Sequence, residues 1–197
     1  MRPYQKKLQG SMDERWSRIS AAIPPQSKTL LDIGANLGAF TAWAAQAGLW
    51  SLGLERHDYL VRKARRMHRD VPGCAFMITE LDADDCARIP QFDITLALSV
   101  YHNWYKNYGK EQADTILKHL VSKTNHVAFF EGPSRNSRFG EDAQVGFADN
   151  DEASVTGFYG ELLQETIGAL ASKIELLGKT ACVGEREPYR WMYAVYR

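Results

Sequence analysis

The chain predicts an α/β fold: a doubly wound, seven-stranded sheet, mostly parallel, ending in a C-terminal antiparallel hairpin. Three observations predict it. Short apolar runs alternate five times with segments of helical length, the pattern of βαβ units on a parallel sheet. Two later apolar runs, Lys173–Ala181 and Arg190–Tyr196, flank the turn sequence GEREP and read as a hairpin. Two glycines four residues apart, in LLDIGANLG, sit where the first strand must turn into a helix.

Residues 11–22 (SMDERWSRISAA) read as a helix, with Ser11 as N-cap and Glu14 three residues on. Pro24-Pro25 breaks it. KTLLDI (28–33) is a short apolar strand, and the alanine-rich 37–47 a helix. Leu49–Glu55 is the second strand and Tyr59–Arg69 a charged helix. After the Pro72-Gly73 turn come a strand at Ala75–Thr79, a short helix near 83–88 and the apolar run Asp93–Ser99. Lys110–Ser122 is helical and His126–Glu131 (HVAFFE) is the fifth strand. Residues 132–156 are polar and glycine-rich and read as a long, mobile loop, a type of segment that often carries function. Phe158–Ala171 is a helix leading into the hairpin.

A length of 197 residues suits one domain, with 1–27 as a helical segment before the first strand. Apolar residues make up 45% and charged residues 24%, ordinary for a globular protein. The 24 basic and 24 acidic residues cancel, which weighs against a polynucleotide partner, since such partners select a basic excess. Arg56, Arg62, Lys63, Arg65, Arg66 and Arg69 crowd one helix, diluted by Asp58 and Asp70, and read as a solvated face. Cys74, Cys86 and Cys182 are odd in number and lack C-x-x-C spacing, against a disulfide framework or a zinc site. No apolar run approaches about 18 residues, so a cytoplasmic protein without a transmembrane segment is expected.

The glycine turn admits three ligands in principle. A phosphate loop of the G-x-x-x-x-G-K-[ST] type needs a lysine after Gly38, and there is none. A dinucleotide fingerprint needs a middle glycine, and Asn36 stands there. The remaining pattern, Asp32-x-Gly34-x-x-x-Gly38, resembles the first motif of the class I S-adenosylmethionine (SAM) methyltransferases. Glu55 ends the next strand, about 20 residues on, where a carboxylate can accept two ribose hydroxyls.

FDITLALSVYHNW (92–104) extends the resemblance over roughly 28–131. The run is similar to the fourth-strand motif of that family, and particularly to the methyltransferase portion of enzymes that cap bacterial O-antigen polysaccharides. The resemblance implies a Rossmann-like fold and SAM as cofactor, with S-adenosylhomocysteine (SAH) as product. It implies cofactor contacts at Asp32, Gly34, Asn36, Gly38, Glu55, Arg56, Ser99 and, after the third strand, Asp82, with Glu80 and Asp84 as rivals. It also implies that N-terminal residues such as Tyr4, Gln5, Arg15 or Arg18 cover the cofactor, and that no metal is needed, because SVYHN lacks a carboxylate cluster. The chain departs from the capping enzymes in having no kinase region and in carrying Asn103 where a second histidine is common.

The expected chemistry is in-line methyl transfer to a saccharide hydroxyl, for which the enzyme mostly aligns the acceptor. His102, just past a strand end, is the candidate base, since neutral imidazole takes a proton near pH 7. Glu131 is a second candidate, as base, as orienting group for His102 or as one half of an ion pair. Tyr101, Asn103 and Trp104 are candidate acceptor contacts, although core burial explains the aromatics equally well. Arg135 and Arg138 could clamp an acidic sugar of a cell-surface glycan. The alternatives are an RNA or small-metabolite methyltransferase, or a SAM-binding subunit that supports a catalytic chain. Peripheral association with a glycan-assembly complex is compatible with all of them.

Overall fold

The computed structural model describes residues 3–133, 152–181 and 189–197. Seven strands form one sheet: β1 (Thr29–Ile33), β2 (Trp50–Glu55), β3 (Cys74–Ile78), β4 (Phe92–Leu98), β5 (Thr124–Pro133), β6 (Lys173–Ala181) and β7 (Tyr189–Tyr196). Their order is β3-β2-β1-β4-β5-β7-β6. The first five are parallel, and β7 runs antiparallel between β5 and β6. The helices are α1 (Pro3–Ala22), α2 (Ala39–Gln46), α3 (Asp58–Met67), α4 (Ala83–Arg88), α5 (Tyr101–Ser122) and α6 (Glu152–Ile167). This is the doubly wound sheet with a terminal hairpin that the alternation predicts.

Alternation along the strands divides the core between two faces. Leu31, Ile33, Ala97, Ala128 and Phe130 pack with α5 and α6 through Ile116, Leu117, Tyr159 and Leu163. Leu30, Leu96, Leu98, Val127 and Phe129 pack on the other face with Ile19 of α1 and Ala44 of α2. Strands covered on both faces read as continuous apolar runs, which is why LLDI and ITLAL are legible as central strands. Asp32, two residues after Leu30, falls on the α2 face, and there it meets Thr41.

Four departures from the expected boundaries bear on the site and its surroundings; the others are of one or two residues. α1 begins at Pro3, not at Ser11, with a proline tolerated in the first turn where no amide partner is required. The helix expected over Lys110–Ser122 is the second part of α5, and a first part from Tyr101 precedes it: the two meet at the non-helical Gly109 (φ 81, ψ 170), and the buried pair Tyr101 and Trp104, three residues apart, turns the first part toward the core. β5 extends to Pro133 because β7 pairs with it as far as Arg190. α6 begins at Glu152 and passes at Gly168–Leu170 into a 3-10 turn. Of the expected loop 132–156, Gly132 and Pro133 thus belong to β5 and Glu152–Thr156 to α6; 134–151, with Arg135 and Arg138, lie outside the described residues, as does Cys182. Cys74 and Cys86 are free, and burial pushes the Cys86 thiol up to about 12. Among the described residues no helix is long and apolar enough to cross a membrane.

Candidate functional site

In an open α/β sheet the ligand crevice lies beyond the carboxyl ends of the strands, where consecutive connections leave in opposite directions. Here that point falls between β1 and β4. A cleft of about 590 Å³ opens there, walled by the turn after β1, the ends of β2, β3 and β4, the first part of α5, and α1.

The turn after β1 is tied to the end of β2. Gly34 and Ala35 both donate their amides to the Leu54 carbonyl (2.8 and 2.9 Å), and Asn36 donates to Glu55 Oε2 (3.0 Å). Three successive amides are therefore used internally, whereas a phosphate cradle would point them at the ligand. Gly34 and Asn36 take left-handed conformations, with φ of 72° and 53°. Gly38 does so too (φ 76°), and a Cβ there would lie 2.2 Å from the Phe76 ring, so the missing side chain lets α2 start against β3. A Cβ on Gly34 would lie 2.6 Å from Val100 Cγ1, just past β4.

Glu55, 7% exposed, faces the cleft beneath this turn. Its Oε1 accepts from the His57 amide at 3.0 Å, while Oε2 holds Asn36. A carboxylate has about four acceptor positions, so both oxygens retain capacity for a ligand's hydroxyls. Asp32 is buried at 3% exposure and lines the same wall. Burial raises its carboxyl from 3.8 to about 6, against the opposing hydrogen bond from Thr41 Oγ1 (2.7 Å) and the attraction of Arg15.

A charged frame closes the β4–β5 side. Glu131 is fully buried, and Arg15 of α1 grips it with Nε to Oε2 (2.8 Å) and Nη2 to Oε1 (2.9 Å). Ser99, at φ 57°, donates its amide to the Glu131 carbonyl (2.9 Å) and its hydroxyl to Oε1 (2.5 Å). Arg190 of β7 in turn donates Nη1 to Ser99 Oγ at 2.8 Å. The Arg15 guanidinium also lies over the Phe40 ring, 4.8 Å from its centroid. Arg15, Ser99 and Arg190 line the cleft.

Of the residues expected from the sequence, Asp32, Gly34, Asn36, Glu55, Arg56, Ser99, Asn103 and Trp104 come together around the cleft. Gly38 acts one layer behind, in packing. Asp82 caps α4, accepting from the Asp85 amide at 2.8 Å, and Glu80 occupies the cleft wall in its place. Tyr101 is fully buried and donates its hydroxyl to Asp114 at 2.5 Å, outside the cleft lining. His102 is 6% exposed and also outside the lining, as is Glu131. Arg190 and Asn107 line the cleft without having been expected. Asn107 lies four residues after Asn103 on the same helical face, a spacing that reveals it once the helix is known to begin before Gly109. Arg190 carries no local signal, because only the pairing of β7 with β5 brings it there.

No protein-family model matches the chain, and no curated protein sequence matches it at a significant level. Solved structures do. A crystal structure of WbdD, a bifunctional kinase-methyltransferase, is similar with a TM-score of 0.65 at 19% identity, over 98% of this chain and 40% of that one. The chain thus spans less than half the length of WbdD. Magnesium protoporphyrin IX methyltransferase (ChlM) from Synechocystis PCC 6803 with bound SAH gives 0.62 at 16% identity, over 100% of this chain and 88% of that one. The N-terminal domain of EvdMO1 with SAH bound gives 0.62 at 16%, over 93% and 79%. The architecture is therefore the Rossmann-like fold of the class I SAM-dependent methyltransferases.

Proposed function

We propose that the chain is a SAM-dependent O-methyltransferase acting on a hydroxyl of a saccharide, with an acidic sugar of a cell-surface glycan as the acceptor class. The observation that carries the cofactor is Glu55: a buried carboxylate with spare acceptor capacity, beneath a turn that directs three amides inward instead of outward. That arrangement suits a nucleoside's vicinal hydroxyls and not a phosphate. The residues fit SAM in charge as well. Glu55 takes the ribose, Glu80 and Asn107 the purine edge, and Arg15, beside Ser11 and Met12 on α1, the amino-acid carboxylate.

When bound, SAM supplies a methyl group on a sulfonium, so the protein's task is to align the acceptor oxygen and receive its proton. In this reading Asn103 and Trp104, which line the cleft, contact the acceptor, and His102, buried beside them and outside the lining, is the base once its ring turns into the cleft. Glu131 serves as frame: Arg15 and Ser99 already engage both of its oxygens. The similarity of SVYHN to the glycan-capping enzymes supports the saccharide, and the likeness to WbdD, a bifunctional kinase-methyltransferase, supports methyl transfer. A second reading, a small-metabolite acceptor, is supported by ChlM, whose chain this one matches over 88% of its length.

Calorimetry with SAH tests the cofactor. Labelled SAM incubated with fractionated envelope glycans, with a metabolite extract and with RNA tests the acceptor. Label in the glycan fraction, lost in His102→Ala, is the expected result. Label in RNA or in the metabolite extract alone overturns the saccharide.

A further inference from the structure

The first part of α5 lines the cleft as a strap with a residue of left-handed φ before it and another at its end. Ser99, with its left-handed φ, precedes it, and Gly109 (φ 81, ψ 170) ends it. A Cβ on Gly109 would meet nothing within 4 Å, so glycine is needed there for its backbone angle and not for space. The two ends of the strap are held differently. Tyr101 and Trp104 anchor its start in the core. Residues 106–110 are exposed, yet Asn107 among them faces the cleft.

One contact ties this outer turn to the opposite wall. The Tyr108 hydroxyl donates to Glu80 Oε1 at 2.7 Å, and the same oxygen receives Arg56 Nη1 at 3.3 Å. Glu80 follows β3 and Arg56 follows β2, and both line the cleft. The clasp thus bridges the cleft from α5 to the ends of β2 and β3. Both contacts fall on Oε1, and Oε2 has no partner among the described residues.

We infer that Tyr108 is a positioning residue: through its hydroxyl on Glu80 it holds the outer turn of α5 closed, and so sets Asn107 and the free oxygen of Glu80 side by side as a reader of the purine edge. A carboxylate accepts from an exocyclic amine, and a carboxamide donates to a ring nitrogen beside it. An adenine presents that donor and acceptor pair, whereas a hypoxanthine puts a carbonyl where the amine should be. The inference rests on reading the cleft as a nucleoside cleft, and it assigns Gly109 as the joint about which the outer turn opens.

The test is Tyr108→Phe, which removes the hydroxyl and leaves the ring. Loss of one exposed, charge-assisted hydrogen bond is expected to weaken SAH binding about three- to tenfold. The rise should lie in the dissociation rate measured by stopped flow. Binding of S-inosylhomocysteine should change less, so that discrimination between the two nucleosides narrows. In the protein without nucleoside, amides 105–109 should exchange hydrogen faster in Tyr108→Phe while 112–121 keep wild-type protection. Glu80→Gln, which retains an acceptor for the hydroxyl, should keep 105–109 protected. Unchanged exchange at 105–109 in Tyr108→Phe overturns the clasp. Faster exchange with unchanged SAH dissociation overturns its role in positioning. If the wild-type protein binds no SAH, the nucleoside reading and the positioning role fall together, and the exchange measurement alone decides the clasp.

Discussion

Arg15 and Glu131 form a two-bonded ion pair between the N-terminal helix and the fifth strand, with the carboxylate fully buried and the guanidinium side chain 18% exposed. The pair joins the segment that roofs the cleft to the strand behind it. Removing one partner leaves the other charge buried without compensation. Arg15→Ala is therefore expected to destabilise the fold by about 3 kcal/mol, read as a shift of the urea midpoint. The double variant Arg15→Met/Glu131→Gln should recover much of that loss, because it leaves no orphaned charge. If the double variant is as unstable as the single one, the ion pair is not what α1 depends on.

Asp32 gives the protein a pH dependence of a definite sign. Its carboxyl rises from 3.8 to about 6 because burial penalises the anion. The folded state thus holds the proton more tightly than the unfolded chain, and this group carries no penalty below pH 3.8. Stability is lost as the pH climbs from there to about 6, and the loss is complete above it. Asp32→Asn keeps an acceptor for Thr41 and removes the charge. It should be more stable than wild type by roughly 3 kcal/mol at pH 8, with the difference fading below pH 4. Denaturant titrations of both proteins across that range check it; a difference independent of pH would show that Asp32 does not titrate there.

The parts of this site legible in the sequence are those that local chain geometry dictates. A glycine turn between an apolar strand and an alanine-rich helix has one position in a doubly wound sheet, and the carboxylate ending the next strand must stand beside it. The rest depends on facts no short window contains. Whether Asp82 or Glu80 faces the cleft turns on which residue caps α4, a contest between neighbouring carboxylates decided by the turn after β3. The burial of Tyr101 and His102 follows from a separate helical stretch before the break at Gly109, which packs on the core through residues far away in the chain. Arg190 reaches Ser99 only through a strand inserted antiparallel beside β5.

Gly34 combines two demands that a double-mutant cycle separates. Its φ of 72° disfavours any side chain, and a Cβ would lie 2.6 Å from Val100 Cγ1. Gly34→Ala in the wild-type background should cost about 3 kcal/mol, the sum of backbone strain and overpacking. In a Val100→Ala background the clash is gone, and the same substitution should cost about 1 kcal/mol. Thermal melts of the four proteins supply the cycle. Equal costs in both backgrounds would mean that the backbone angle alone requires the glycine.

Glu55 is where stability and ligand binding meet in one side chain. Its two oxygens each accept a backbone amide, from Asn36 and from His57, on either side of the cleft wall. Glutamine has one acceptor oxygen, so Glu55→Gln sets its amide group against one of those donors and leaves that backbone N–H unsatisfied. The expected cost to the fold is about 1–2 kcal/mol. The cost to SAH affinity should be larger, on the order of tenfold to a hundredfold, because hydrogen bonds to a charged acceptor are lost along with the turn's geometry. Melting curves and calorimetry on the same preparation separate the two effects. A Glu55→Gln protein that melts lower yet binds SAH as wild type does would reduce Glu55 to a tie for the glycine turn and remove the observation on which the nucleoside assignment stands.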